Sequence, residues 1–241
     1  MRCNHCGQIN YESATFCDRC GSLLPVDSTG LADESQSFWP LGAVQVPWRG
    51  VQVSFGILIV LFAVALALMI TIPIANSFGP YRQAVIAWGG SHILGLVIVA
   101  VVWFLGVGRY RLPVSVLGIR ASKLGIGKTT GLTVGVLAAS LGFTICYGLL
   151  ARYLGIEILA ARQDFSGIIF PGLLAVFTFQ AVAGVTPITE EIFFRGFVLA
   201  GIVTTLGLRW GVVLSALVFS LFHFSTEAPG VLIPIFVTGL L

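Results

Sequence analysis

The sequence predicts an all-α polytopic membrane protein, six spans and a truncated seventh, with a small cysteine-rich module at its N-terminus. Three observations carry this: a composition that is 57% hydrophobic and only 10% charged, a mean hydropathy of +0.99, and two CxxC pairs within the first twenty residues. Soluble globular domains do not reach that balance of apolar and charged residues. The net charge of +3 implies no nucleic-acid partner, because the placement of the basic residues carries the information.

From the N-terminus, Cys3-Asn4-His5-Cys6 and Cys17-Asp18-Arg19-Cys20 form two knuckles separated by ten residues. This spacing lets four thiolates converge tetrahedrally on one zinc ion. Gly7 and Gly21 follow the knuckles, where a tight turn suits glycine. Paired disulfides are the competing reading, and a reducing compartment disfavours them. His5 is a bystander, since four cysteines complete the shell. Residues 1–24 are too few to hold a hydrophobic core, so the metal supplies most of the folding free energy. The stretch resembles the short zinc ribbons at the N-terminus of bacterial and archaeal membrane proteins. It reads as a structural module or a docking site for a cytosolic protein partner.

Residues 25–50 form a linker, polar through Asp27, Asp33 and Glu34, then aromatic, with Trp39 and Trp48 marking the approach to the membrane interface. The membrane domain occupies residues 51–241. Apolar stretches near the roughly 20 residues that cross a bilayer run at Val53–Ala75, Val85–Val107, Leu132–Tyr153, Ile168–Val185, Ile188–Leu206, Val212–Phe224 and Val231 onward. The first thirty residues lack the apolar core of a signal peptide, so the first span acts as an uncleaved insertion signal.

Between the second and third spans lie Arg109, Arg111, Arg120, Lys123 and Lys128 with no acid among them, whereas the preceding loop holds only Arg82. The positive-inside bias puts that basic loop, and with it the N-terminus, in the cytosol of a multi-pass cell-membrane protein. Counting onward places turns near Val185–Pro187 and Ser225–Pro229 in the cytosol and the loop 152–167, with Glu157, Arg162 and Asp164, outside. Cys146 and His92, within the third and second spans, read as a buried packing residue and an inter-helix hydrogen-bonding residue.

The functional candidates interrupt the later spans. Charges inside a bilayer cost several kcal/mol, at least about 2.5–3.5 kcal/mol on insertion scales, and so face a protein interior and mark function. Thr186-Pro187 reads as a helix start, a threonine cap with proline at the first helical position. Glu190 and Glu191 then fall in the first turn, which the helix dipole favours. Arg195 lies four residues beyond Glu191 and can pair with it. Glu190 stands about 100° round the helix and need not share that partner. The next span returns across the bilayer and brings His223, one turn after Phe219, to the depth of the two acids. Taken singly, each of these residues also fits a headgroup-level turn or a packing role; their joint occurrence argues for a site.

The acidic run Glu190-Glu191-Ile192-Phe193-Phe194-Arg195 matches an EExxxR motif, and Phe219-Ser220-Leu221-Phe222-His223 an FxxxH motif. In this order and separation they resemble the first two motifs of the CPBP intramembrane endopeptidases, also called Abi or CAAX-protease-like. The likeness covers roughly residues 111–241, and Leu117-Gly118-Ile119-Arg120 is similar to a short family segment. The resemblance implies hydrolysis of a peptide or protein substrate at the cytosolic face of the bilayer. Glu190 would be the general base for water, His223 would position that water or the oxyanion, and Glu191 would be a supporting carboxylate paired with Arg195. A carboxylate partly withdrawn from water is the better base near neutral pH.

The family's third motif, a further histidine with asparagine or a similar residue four positions on, would fall beyond Leu241. A catalytic metal stays open: zinc commonly takes three protein ligands, and Glu190, Glu191 and His223 are the candidates, while a metal-free base-and-histidine route fits them equally. A second reading, a non-catalytic membrane adaptor or bacteriocin-immunity-like protein on the same scaffold, is separated from the protease by the sequence that follows Leu241. A transporter is weaker, since no inverted repeat of broken helices is visible.

Overall fold

The computed structural model describes residues 2–10, 17, 24, 46–119, 124–160, 172–226 and 228–241. Cys20, Gly21, Trp39, most of the 25–50 linker, Arg120, Lys123, Arg162 and Asp164 lie outside the described residues. Within them the chain is helical and has no strand beyond an isolated Arg2–Ile9 bridge. The helices are α1 (Gly50–Asn76), α2 (Pro80–Val102, prolonged by a wide π turn Trp103–Val107), α3 (Ile126–Tyr153) and α4 (Glu157–Ala160). They continue as α5 (Gly172–Leu206), α6 (Leu208–Phe222) and α7 (Pro229–Leu240). Among the described residues, α1, α2, α3 and α5 are long and apolar enough to cross a membrane, and α6 and α7 are shorter apolar helices.

The expected break at Thr186-Pro187 is not there. Val185, Thr186, Glu190 and Glu191 all keep right-handed helical dihedrals, and the expected fourth and fifth spans are one 35-residue helix, α5. Proline removes one N–H and crowds a carbonyl one turn back. Membrane helices tolerate this when side chains or widened turns take up the freed groups. Just past the proline the Thr189 hydroxyl also bonds back into the helix, 3.0 Å from both the Val185 and the Thr186 carbonyl oxygens. The helix also widens into π geometry at Gln180–Val185 and again at Glu191–Val198. Glu190 and Glu191 therefore stand mid-helix, about 24 Å along the axis from Leu206 at 1.5 Å per residue, and not at a dipole end.

This merger also removes the turn expected at Val185–Pro187. The end of α5 meets the start of α1, where the Val46 and Gly50 amides donate to the Thr204 and Thr205 hydroxyls at 3.4 and 3.1 Å. Gln52 in the first turn of α1 donates to the Tyr110 hydroxyl at 3.1 Å, bringing the turn that carries Arg109 and Arg111 to the same end. The link between α5 and α6 is a single residue, Gly207, at φ 81°, a left-handed conformation that glycine adopts without strain.

The core lies between α1, α2 and α5. Phe193 and Phe197 of α5 are fully buried, with Val53, Val60, Val101 and Val102 around them. Trp48, two residues before α1, is fully buried against the protein: its ring stacks on Phe197 at 5.6 Å and its indole N–H donates to the Phe197 carbonyl at 3.0 Å. That carbonyl belongs to the second π segment. An indole buried in an apolar core needs a partner, and the loosened helix offers one. Close approach is set by small residues, as is usual between membrane helices: a methyl group at Gly56 would lie 2.8 Å from the Phe197 ring, and one at Gly201 would strike Val53 and Trp48.

On the other side of α5, α6 packs antiparallel, and Ser215 donates to the Phe194 carbonyl at 3.0 Å. Helix α7 follows, with Gly239 against Ala216. Helix α3 is latched to α7 by Ser140 and Thr238, whose hydroxyls are 2.6 Å apart, and by Tyr147 donating to the Gly230 carbonyl at 3.0 Å. Cys146, expected to be buried, is exposed on α3.

Candidate active site

Helices α5 and α6 each contribute one half of a polar cluster. His223 ends α6, with its Nε2 3.7 Å from Glu190 Oε1. Its Nδ1 lies 2.9 Å from the carbonyl oxygen of Phe219, one turn back. A carbonyl only accepts, so Nδ1 carries the hydrogen and, in the neutral ring, Nε2 presents its lone pair to the glutamate. Both side chains are largely withdrawn, 30% exposed for His223 and 26% for Glu190.

The second acid behaves differently. Glu191 Oε2 is 3.5 Å from Arg195 Nε, and these side chains are 59% and 47% exposed. The structure thus joins Glu190 to His223 and Glu191 to Arg195, two separate pairs on adjacent positions of one helix. The aromatic residues form a dry floor: Phe194 meets Phe219 and Phe222 edge-on at 5.2 and 5.1 Å. The Phe219 ring stands 4.7 Å from the His223 ring.

A cleft of about 80 Å³ opens over Glu190, Glu191 and Arg195, with Ser215, Phe219, Thr238 and Gly239 opposite. That volume holds a few waters at roughly 30 Å³ each. It abuts a groove of about 510 Å³ that shares Glu191, Arg195, Ser215 and Gly239 and is otherwise walled, Ser115 apart, mainly by apolar residues such as Leu117, Ile192, Leu199 and Val203. Sequence reasoning had not singled out Ser215 or Thr238. For Ser215 a signal existed, since Ser215, Phe219 and His223 recur every four residues and share a face of α6. Thr238 gave none.

His92, read from the sequence as an inter-helix hydrogen-bonding residue, lies in a polar circuit separate from the acids. Gln180 in the first π segment and His92 Nε2 are 3.0 Å apart, the Trp88 indole donates to the Gln180 amide oxygen at 2.5 Å, and His92 Nδ1 bonds the Trp88 carbonyl at 2.7 Å. This circuit ties α2 to α5, ten residues before Glu190.

At the N-terminus the sulfurs of Cys3, Cys6 and Cys17 lie within 4.8 Å of one another. Cys6 and Cys17 are 3.5 Å apart, well beyond the roughly 2.05 Å of a disulfide bond. Three converging thiols are the donor chemistry of a soft or borderline metal, and the residues present fit one. Gly7 stands at φ 74°, as its place after the knuckle requires.

Paired carboxylates and an imidazole set among apolar helices define the class: a helical membrane protein with a polar cluster between two of its apolar helices. The comparisons narrow it. Residues 170–241, which contain Glu190, Glu191, Arg195 and His223, match the family model described as Rce1-like, type II CAAX prenyl endopeptidase Rce1-like. No curated protein and no solved structure matches the chain. Over residues 170–241, the last 72 of the chain's 241, the sequence is similar to the CAAX-protease family.

Proposed function

We propose that the protein is an intramembrane endopeptidase of the CAAX-protease type in which Glu190 acts as general base and His223 as its partner. The approach of His223 Nε2 to Glu190 Oε1, at 3.7 Å inside the family-matched segment, is the observation that carries this reading. Glu190 takes a proton from water, and the hydroxide oxygen adds to the scissile carbonyl carbon. The proton passes to the leaving nitrogen, the C–N bond breaks, and a carboxylate and an amine leave. With Nδ1–H committed to Phe219, neutral His223 orients the water by accepting its second hydrogen at the Nε2 lone pair, and the proton that Glu190 has taken is the one delivered to the leaving nitrogen. Glu191, held by Arg195, supports the geometry without competing for the proton. The apolar groove beside Arg195 suits an extended apolar peptide segment. The N-terminus faces the cytosol, and Cys3, Cys6, Cys17 and Cys20 hold a structural zinc ion.

The test is cleavage by the detergent-purified protein. Glu190→Gln should abolish turnover while insertion and expression persist, and retained turnover would sink the assignment. Wild-type protein that inserts normally and cleaves none of a panel of membrane-peptide substrates would favour the adaptor reading.

A further inference from the structure

Asn10 is the one polar residue buried in the described part of the N-terminal module, 5% exposed. Its side-chain amide nitrogen donates to the Cys17 sulfur at 3.6 Å and to the Gln8 carbonyl at 3.0 Å. That same carbonyl accepts the Cys3 amide at 2.8 Å, and the Cys3 carbonyl accepts the Gly7 amide at 2.9 Å. One side chain therefore joins the backbone of the first knuckle to a sulfur of the second.

Thiolates gathered on a divalent cation keep a net negative charge, and N–H donors aimed at sulfur stabilise it. Asparagine suits the task because its amide offers two N–H groups from one atom and carries no charge to bury. We propose that Asn10 is a positioning residue of the N-terminal metal centre, holding the Cys17 sulfur toward the ion while bracing the first knuckle. The inference rests on the reading that these cysteines bind a metal, and it concerns a residue that the CxxC pattern does not contain.

The full-length chain, stripped of metal in detergent, is titrated with Co(II) and then competed with Zn(II) in the presence of a chelator. Wild-type protein should show the sulfur-to-cobalt charge-transfer and tetrahedral d–d bands of a thiolate site. Asn10→Asp, which keeps the shape but replaces the donor with an acceptor, should lower affinity about 10- to 100-fold and move the charge-transfer band to lower energy. Asn10→Ser, which restores a donor, should recover part of both. His5→Ala, altering an exposed residue between the first two cysteines, should bind as wild type. Asn10→Asp and Asn10→Ala with wild-type affinity and unchanged bands would overturn the role of Asn10 and leave the metal reading standing. Absence of thiolate bands in wild-type protein would overturn both. A variant that binds nothing and is not rescued by serine counts against the donor role, because a packing defect and not the lost N–H would then explain it.

Discussion

The Nδ1 of His223 is committed to the Phe219 carbonyl at 2.9 Å while its Nε2 faces Glu190 Oε1 at 3.7 Å. One bond within α6 thus sets the tautomer that the glutamate on α5 meets, and only the second nitrogen is available for chemistry.

Replacing His223 with Asn tests this division. The Asn amide can still donate locally, but nothing stands where Nε2 was. The rate of cleavage should fall by a factor of about 10² to 10⁴, with the thermal midpoint close to wild type. Equal turnover in the two proteins would remove the imidazole from the reaction.

The Glu191–Arg195 pair should contribute little to stability. Its side chains are about half exposed, and exposed ion pairs are worth roughly 0–1 kcal/mol. A double-mutant cycle with Glu191→Gln and Arg195→Gln, read by thermal unfolding, should give a coupling energy within that range. Any larger loss of cleavage than of stability then reports on the site.

Glycines separate by what surrounds them. A methyl group at Gly230 would lie 2.6–2.8 Å from backbone atoms of Ile158 and Leu159, whereas one at Gly131 on α3 would meet nothing within 4 Å. Gly230→Ala should destabilise by about 1–3 kcal/mol through overpacking. Gly131→Ala should be neutral or gain up to about 1 kcal/mol from helix propensity. Melting curves in one detergent suffice to compare them.

Trp48→Phe removes the indole N–H that bonds the Phe197 carbonyl in a fully buried site. The cost should be about 1–3 kcal/mol, that of a buried polar group left unpaired plus the lost ring volume. Because Phe197 sits within the widened stretch Glu191–Val198, cleavage should fall with stability, and a variant that melts early but cleaves normally would separate the core from the site.

Removing metal should affect only the N-terminal module. Residues 1–24 become protease-sensitive on chelation, since metal binding and folding are coupled in so small a unit, while the membrane domain keeps its melting transition. Limited proteolysis followed by mass measurement distinguishes the two.

Much of this was legible in the chain. Apolar runs of bilayer length, the CxxC spacing, the i,i+4 relation of Glu191 to Arg195 and that of Phe219 to His223 are local patterns, and local patterns survive in a one-dimensional reading. Thr186-Pro187 misled because the same dipeptide that starts a helix in water can lie inside one in a bilayer. There, the chain keeps right-handed helical dihedrals across the proline and widens on either side of it. Cys146 misled for a related reason: burial depends on which face meets a neighbour, and no periodicity announces that.

By itself the sequence determined that the chain is a helical membrane protein, that four cysteines stand at metal-binding spacing, and that two acids, an arginine and a histidine interrupt its later apolar runs. Only the tertiary structure decided that the acids lie in the middle of one continuous helix and that Glu190 meets His223 while Glu191 meets Arg195. It also decided that Asn10 reaches Cys17. The physical reason is that composition and spacing fix which groups must leave water, whereas which partners they then find depends on how the helices turn and pack.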